Sequence, residues 1–324
     1  MEDGLFTLSN GRKAPAIAFG TWQVSGNKIR EMLPLALDAG YRHIDTAYSY
    51  DNEDAIGEVL ESYFSQGKLK REDIFLATKL WVTFLGKDDV RRAVDESLRR
   101  LMVDYVDLLM IHAPWGFKNR GDGTLFPQDE HGNFELENYD LRDTWRELER
   151  LVVAGKVKSL GLSNFNSVQV DLICHMAHVP PVCNQVECHA YLPQVELQEF
   201  CQKLGVLLSA FAPLGSPGRS EHLVTEGEPV LLQEPILEKI GSKYNKTPAQ
   251  VLIRSLLQRG ILVSVKSITP KRIEENIEVF DFALTVEDMQ EIAKLRNDHR
   301  FFPFRQMYAH NCAHCTVHVT LRFN

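Results

Sequence analysis

The sequence predicts an α/β chain folded as a closed (β/α)8 barrel, a single domain over residues 1–324. Three observations lead there. Short apolar, strand-like runs alternate with longer segments whose apolar residues recur at three- and four-residue steps. There are eight such runs, and alternation of this kind predicts a parallel sheet. They extend over roughly 250 residues, the size at which such a sheet closes on itself.

After a turn at Ser9-Asn10-Gly11, the expected strands are Ile17–Phe19, His43–Asp45, Phe75–Lys79, Val106–Ile111, Ser159–Leu162, Val182–Glu187, Leu207–Phe211 and Leu262–Lys266. Between them, Asp88–Leu101, Asp140–Ala154, Ser167–Ala177 and Pro193–Leu204 carry the helical period and read as crossover helices. Two long connections break the rhythm, Pro114–Glu137 after the fourth strand and Pro213–Glu234 after the seventh. Long loops on a compact fold are functional lids or disorder, and both follow strand ends, the face on which barrels build their sites. A doubly wound open sheet is the competing architecture. Its nucleotide fingerprint, G-x-G-x-x-G after a strand, is absent, as is the G-x-x-x-x-G-K-[ST] loop.

Strands buried on both faces stay apolar, yet polar side chains recur where these finish: Asp45, Lys79, His112, Ser163 with Asn164, Gln185 and Lys266. Parallel strands bring such residues to one rim. Within that ring Asp45, Tyr50, Lys79 and His112 form a chemically coherent set. A phenol of ordinary pKa, roughly 10, holds its proton at neutral pH and gives it up reluctantly. A lysine ammonium at roughly 4 Å, with an effective dielectric near 20, favours the phenolate by about 4 kcal/mol before desolvation and pairing of Lys79 with Asp45 subtract from it. The expected result is an acid poised nearer neutrality, able to protonate a carbonyl oxygen, with neutral His112 donating a hydrogen bond to the same oxygen.

Two helix starts differ in an informative way. Thr247-Pro248-Ala249-Gln250 has Thr as N-cap, Pro in the first turn and Gln completing a capping box. Thr269-Pro270-Lys271-Arg272 is expected to begin the same way, but it sets two cations at the positive end of the helix dipole, just after Lys266. Either Glu274 and Glu275 neutralise them, or the site binds a phosphate.

These residues resemble the aldo-keto reductases along nearly the whole chain. The likeness is carried by Gly20-Thr21-Trp22-Gln23, Ala39-Gly40-Tyr41-Arg42-His43-Ile44-Asp45-Thr46-Ala47 with Tyr50 and Asn52-Glu53, and Ala77-Thr78-Lys79-Leu80-Trp81. It continues through Ile111-His112, Gly161-Leu162-Ser163-Asn164-Phe165-Asn166, Asn184-Gln185-Val186-Glu187, Pro213-Leu214-Gly215-Ser216, and Lys266-Ser267-Ile268-Thr269-Pro270 with Arg272, Glu275 and Asn276. The resemblance implies a TIM barrel that reduces aldehydes or ketones with NADPH, with Asp45, Tyr50, Lys79 and His112 as catalytic tetrad. It implies that Ser163, Asn164 and Gln185 hold the nicotinamide carboxamide, with Gly20, Thr21 and Trp22 also on the cofactor site. Leu214 and Ser216 would lie along the pyrophosphate, Lys266, Ser267 and Arg272 would grip the 2′-phosphate beside Ile268 and Thr269, and Glu275 and Asn276 would face the adenine. His112, where the family's steroid double-bond reductases carry Glu, implies a carbonyl reductase.

The chain departs from that pattern at four places. Phe211 stands where a Tyr usually stacks on the nicotinamide, and a Phe ring can still stack. Ala212 replaces a common Ser. Val265 replaces the Pro before Lys266. Ala113 replaces the Trp after the tetrad His, widening the pocket unless Trp115 refills it. Trp22, Trp81, Ala113, Trp115, Phe117 and Phe126 are the expected pocket walls, an aromatic lining suited to a small-molecule carbonyl substrate, and by the same resemblance the tail, residues 300–324, folds over the pocket and sets specificity.

That tail contains His310, Cys312, His314, Cys315 and His318. The C-x-x-C spacing raises a zinc site, but the second ligand pair is crowded into the same short segment, so no metal is expected. A formal charge of −8 carries no clustered cationic excess, which argues against nucleic acid or acidic membrane as partners. No signal-peptide pattern or membrane-length apolar run is present, and six cysteines are sparse for a disulfide scaffold, so a cytoplasmic monomer is expected. The competing functional class is a non-catalytic NADP(H)-binding regulatory subunit, or a structural protein recruited from the same fold. The intact tetrad argues against both.

Overall fold

The computed structural model describes residues 4–304. The chain opens with an antiparallel hairpin, β1 (Leu5–Thr7) and β2 (Lys13–Pro15), turned at the expected Ser9-Asn10-Gly11. Eight parallel strands then close into a barrel: β3 (Ile17–Gly20), β4 (His43–Asp45), β5 (Phe75–Leu80), β6 (Leu108–Ile111), β9 (Leu160–Ser163), β10 (Cys183–Glu187), β11 (Leu207–Phe211) and β12 (Leu262–Val265), with β12 pairing back to β3. This is the (β/α)8 TIM barrel, with strand bounds within two residues of expectation. Val106, read as the start of a strand, makes an isolated bridge to Val157 instead, and Lys266 falls one residue past the end of β12.

The main helices are α1 (Gly26–Asp38), α2 (Glu53–Ser65), α3 (Lys87–Leu101), α4 (Leu141–Val153), α5 (Ser167–Met176), α6 (Val195–Lys203), α7 (Pro235–Tyr244), α8 (Pro248–Gln258), α9 (Pro270–Ile277) and α10 (Val286–Ala293). Local chemistry fixes where they start. Asp140 caps α4 by accepting from Arg142 N, Asn166 and Gln169 form a capping box at α5, and Thr247 with Gln250 makes the expected box at α8. At α9 the expectation fails: Thr269 makes no side-chain cap bond. Ser267 Oγ accepts from the Thr269 N–H at 3.1 Å instead. On α4, Leu141, Trp145, Leu148 and Leu151 recur at helical spacing and are buried, which holds the helix against the barrel.

The N-terminal hairpin lies across the starts of the strands. Phe6, Leu8 and Ala14 enter the core, Asn10 Nδ2 donates to Ser159 Oγ at 2.9 Å just before β9, and His43 Nδ1 is 2.9 Å from the Pro15 carbonyl. At the opposite end, the first long connection is ordered by a small hairpin of β7 (Gly116–Phe117) and β8 (Leu136–Glu137). The second, after β11, is tied by Arg219, which is buried, donates to the carbonyls of Gly215, Ser216 and Leu223 and pairs with Glu228. Among the described residues no helix is long and apolar enough to cross a membrane.

Candidate active site

Three neighbouring strands deliver the central cluster to the C-terminal rim. Asp45 ends β4, Lys79 lies near the end of β5, His112 follows β6, and Tyr50 stands on a one-turn helix, Tyr48–Tyr50, just after β4. Lys79 is 1% exposed. Its ammonium donates to Asp45 Oδ1 at 2.5 Å, to the Thr46 carbonyl at 2.9 Å and towards the Tyr50 hydroxyl at 3.4 Å. A charge buried this deeply persists only when paired and hydrogen-bonded, and these three contacts meet that condition. Gln185 Nε2 donates to the other Asp45 oxygen at 3.0 Å.

Burial alone would raise the Asp45 carboxyl, but the Lys79 ammonium, Ser264 and His43 together hold it below its usual value. Burial likewise opposes the charge on Lys79, and Asp45 and Tyr50 more than offset it, so the amine stays a cation. For Tyr50 the balance runs the other way, which corrects the sequence expectation. Burial raises its hydroxyl, Lys79 lowers it, Asp45 raises it again, and the net shift is upward. Burial is the larger cause, and the carboxylate nearer to the ammonium opposes its pull. His112 is neutral as expected: burial and the Lys79 charge push it down to about 3. Its ring packs edge-on to Tyr50 with centroids 5.7 Å apart and to Trp81 at 4.9 Å, and its buried Nδ1 has no hydrogen-bond partner among the described residues.

The remaining predicted residues assemble around this cluster. Asn164, in the left-handed region at φ 64°, donates from Nδ2 to the His112 carbonyl at 2.9 Å and to Ser163 Oγ at 3.2 Å. Gly20 ends β3 and Thr21 follows it, and Thr21 donates from its hydroxyl to the Asp45 carbonyl at 3.0 Å. Gln23, Ala212 and Ser216 also take positive φ, so backbone strain collects on this rim, where functional sites tend to store it. Leu214 and Ser216 lie in the connection after β11, and Phe211 ends that strand. Ser267, Ile268 and Thr269 lead from β12 into α9, on which Arg272, Glu275 and Asn276 sit. Lys271 pairs with Glu275 at 3.4 Å, so one of the two cations at that helix start is neutralised. Arg272, exposed, pairs with no carboxylate among the described residues, and neither does half-buried Lys266, whose amine burial pulls down.

Aromatic side chains stand beside the tetrad. Trp81 donates from Nε1 to the Leu125 carbonyl at 2.7 Å and packs on Phe126, which is half exposed. Ala113 is buried next to His112. Phe117, expected as a wall, is wholly buried and stacks on Phe134 with centroids 5.0 Å apart, so it supports Trp81 from behind. Two residues at the start of the expected tail, not singled out from the sequence, complete the rim: Phe302 meets Trp22 at 5.3 Å and Phe211 at 5.6 Å, and Phe304 meets Trp115 at 5.4 Å. The aromatic run Phe301-Phe302-Pro303-Phe304 was the available signal. Asn52 was also missed. It donates to the carbonyls of Thr21 and Val24 and accepts from Thr46 Oγ1, binding the segment that carries Tyr50 to the end of β3. His310, Cys312, His314, Cys315 and His318 lie outside the described residues. Among the described ones no group of His, Cys, Asp and Glu could hold a metal.

A closed parallel barrel with Asp, Tyr, Lys and His converging on its C-terminal rim defines a family, and the chain belongs to it: the Aldo/keto reductase family, whose sequence model matches residues 16–297. Its members are oxidoreductases that act on carbonyl compounds. The chain is 44% identical over 303 residues to the horse aldo-keto reductase family 1 member C23-like protein, covering 92% of this chain and 93% of that protein. It is 44% identical over 299 residues to the rabbit prostaglandin-E(2) 9-reductase, with 91% and 92% covered. The solved aldose reductase of Schistosoma japonicum superposes with a TM-score of 0.88 at 43% identity, over 96% of this chain and 97% of that one.

Proposed function

We propose that this chain is an NADPH-dependent carbonyl reductase in which Tyr50 protonates the carbonyl oxygen. The observation that carries the reading is the Lys79 ammonium set between the Asp45 carboxylate at 2.5 Å and the Tyr50 hydroxyl at 3.4 Å. Asp45 keeps Lys79 charged and fixed. Tyr50 keeps its proton until negative charge develops on an oxygen placed beside it, and Lys79 then stabilises the phenolate left behind. Neutral His112 orients that oxygen by a hydrogen bond. The apolar walls, Trp22, Trp81, Ala113, Trp115 and Phe126, exclude water and strengthen each of these interactions.

NADPH, when bound, supplies the hydride that adds to the carbonyl carbon. The donor set fits it. Lys266 and Arg272, two cations without a carboxylate partner at the start of α9, match a 2′-phosphate, with Ser267, Ile268 and Thr269 between them and Glu275 and Asn276 following on the helix. Ser163, Asn164 and Gln185 present amide and hydroxyl groups suited to the carboxamide. Gly20, Thr21 and Phe211 border the same space, while Leu214 and Ser216 suit the pyrophosphate. The described cysteines, Cys174, Cys183, Cys188 and Cys201, are free thiols, which supports a cytoplasmic setting.

The test is Tyr50→Phe beside the unaltered protein. NADPH binding, followed by quenching of tryptophan fluorescence, is expected to be unchanged, and NADPH consumption with aromatic aldehydes is expected to fall at least 100-fold. Equal turnover by both proteins removes Tyr50 from the role.

A further inference from the structure

We propose that Glu187 is a positioning residue for substrate specificity, clamping the root of the C-terminal tail so that Phe302 is held as a wall of the pocket. The inference rests on the carbonyl-reductase reading. Glu187 ends β10 on the same rim as Gln185 and is 2% exposed, and its side-chain hydrogen bonds go to His189, Phe301 and Phe302 rather than to the tetrad. Its Oε1 accepts the Phe301 N–H at 2.6 Å and its Oε2 the Phe302 N–H at 3.3 Å.

A third donor is fixed by local geometry. The Leu192 N–H is shared between the His189 carbonyl at 3.0 Å and His189 Nδ1 at 3.2 Å, and the carboxylate facing Nε2 can only accept, so the imidazole proton sits on Nε2. Nε2 is 3.0 Å from Glu187 Oε1 and donates to it. Three N–H groups therefore converge on one buried carboxylate, an arrangement that only an acceptor at both oxygens satisfies. It spans 114 residues of sequence to reach Phe301.

The side chains at the clamp carry its effect in two directions. The Phe301 ring lies 4.9 Å from the His189 ring, with the Arg219 guanidinium 4.9 Å above it. Arg219 in turn ties the connection after β11, which carries Leu214 and Ser216. Phe302 points the other way, between Trp22 and Phe211. A buried carboxylate at the end of one strand thus sets where an aromatic ring from the end of the chain stands over the site, without itself touching the tetrad.

The experiment compares Glu187→Gln, Phe302→Ala and the double variant. A carboxamide offers one acceptor and an N–H2 that opposes a donor, so one of the three N–H groups loses its partner. Amide exchange at Phe301 and Phe302 in Glu187→Gln is expected to rise at least tenfold, with exchange at Lys79 and Ile111 unchanged. The kcat/KM for a bulky aromatic aldehyde relative to a small aliphatic one is expected to fall about tenfold, equivalent to 1.4 kcal/mol, with the change in the KM of the bulky substrate. Phe302→Ala should lower the same ratio, and the double variant should add nothing further, the signature of two residues acting as one unit. Unchanged exchange, or losses that multiply in the double variant, overturns the proposal. Glu187→Asp, which keeps the charge but is one methylene shorter, gives a smaller change in the same direction and serves if the amide variant does not fold. If the unaltered protein reduces no carbonyl, the functional reading fails, while the exchange result still decides the clamp.

Discussion

The Lys79 ammonium stands 3.4 Å from the Tyr50 hydroxyl and 5.1 Å from the centre of its ring, yet the phenol is held above its ordinary range. Burial outweighs the cation, and Asp45, nearer to that cation, opposes its pull. Ultraviolet difference titration of the unaltered protein against Tyr50→Phe is expected to show this phenol ionising above about pH 10, the ordinary tyrosine value. A phenolate appearing near neutrality would refute the balance described.

His112, pushed down to about 3, stays neutral across the physiological window. Its imidazole resonances are expected to stay flat between about pH 5 and 8, against the ordinary histidine value of about 6.5, and the rate profile should show no limb from this group there. A midpoint near the ordinary value counts against the neutral role assigned to the ring.

Glu53 opens α2 beneath the tetrad. Its carboxyl accepts from Thr78 Oγ1 at 2.7 Å and Ser97 Oγ at 3.0 Å, but burial raises it to about 7. An acid raised in the folded state binds more protons folded than unfolded between its two pKa values. Stability from this group is therefore present below about pH 4.5 and is lost as pH climbs towards 7, by about 3 kcal/mol. Glu53→Gln keeps the shape, and both hydroxyls can rotate to suit the amide. Denaturant unfolding at pH 5 and pH 8 is expected to show the variant gaining on the unaltered protein at the higher pH; a constant difference would discount the shift.

Replacing Lys266 or Arg272 by Ala is expected to weaken NADPH binding about 10- to 100-fold, the cost of one charge-assisted phosphate contact. Affinity for NADH should barely move. Fluorescence titrations with both nucleotides, repeated at high salt, read this directly, and parallel losses for the two would place the 2′-phosphate elsewhere.

Gly57 lies where α2 crosses the end of α3. A Cβ there would stand 2.3 Å from the Arg100 carbonyl oxygen and 2.7 Å from the Leu101 carbonyl carbon. Alanine would favour the helix by about 1 kcal/mol, but the backbone contact cannot yield cheaply, so Gly57→Ala is expected to cost about 1–3 kcal/mol net. A thermal midpoint equal to or above that of the unaltered protein would show that the helices separate without penalty.

The barrel was legible because each strand is a short apolar run and each capping box, such as Thr247 with Gln250, depends on neighbours in sequence. The tetrad was legible for a related reason: polar residues ending apolar runs in a parallel sheet have one place to go. The upward shift of Tyr50 was not, since it turns on the Lys79 to Asp45 separation and on burial, which spacing does not encode. Phe302 and Glu187 were hidden differently. Their meeting joins residues 115 apart, and no local pattern announces such a contact. Residues 310–318, where the C-x-x-C spacing raised a zinc site that was not expected, lie outside the described residues.

The N-terminal hairpin closes the strand starts with Phe6, Leu8 and the Asn10 to Ser159 bond, while Asp45, Lys79 and His112 stand at the other mouth. The two ends of the barrel thus divide the labour: one is sealed by apolar and polar contacts that hold the layers together, and the other is left to the polar side chains.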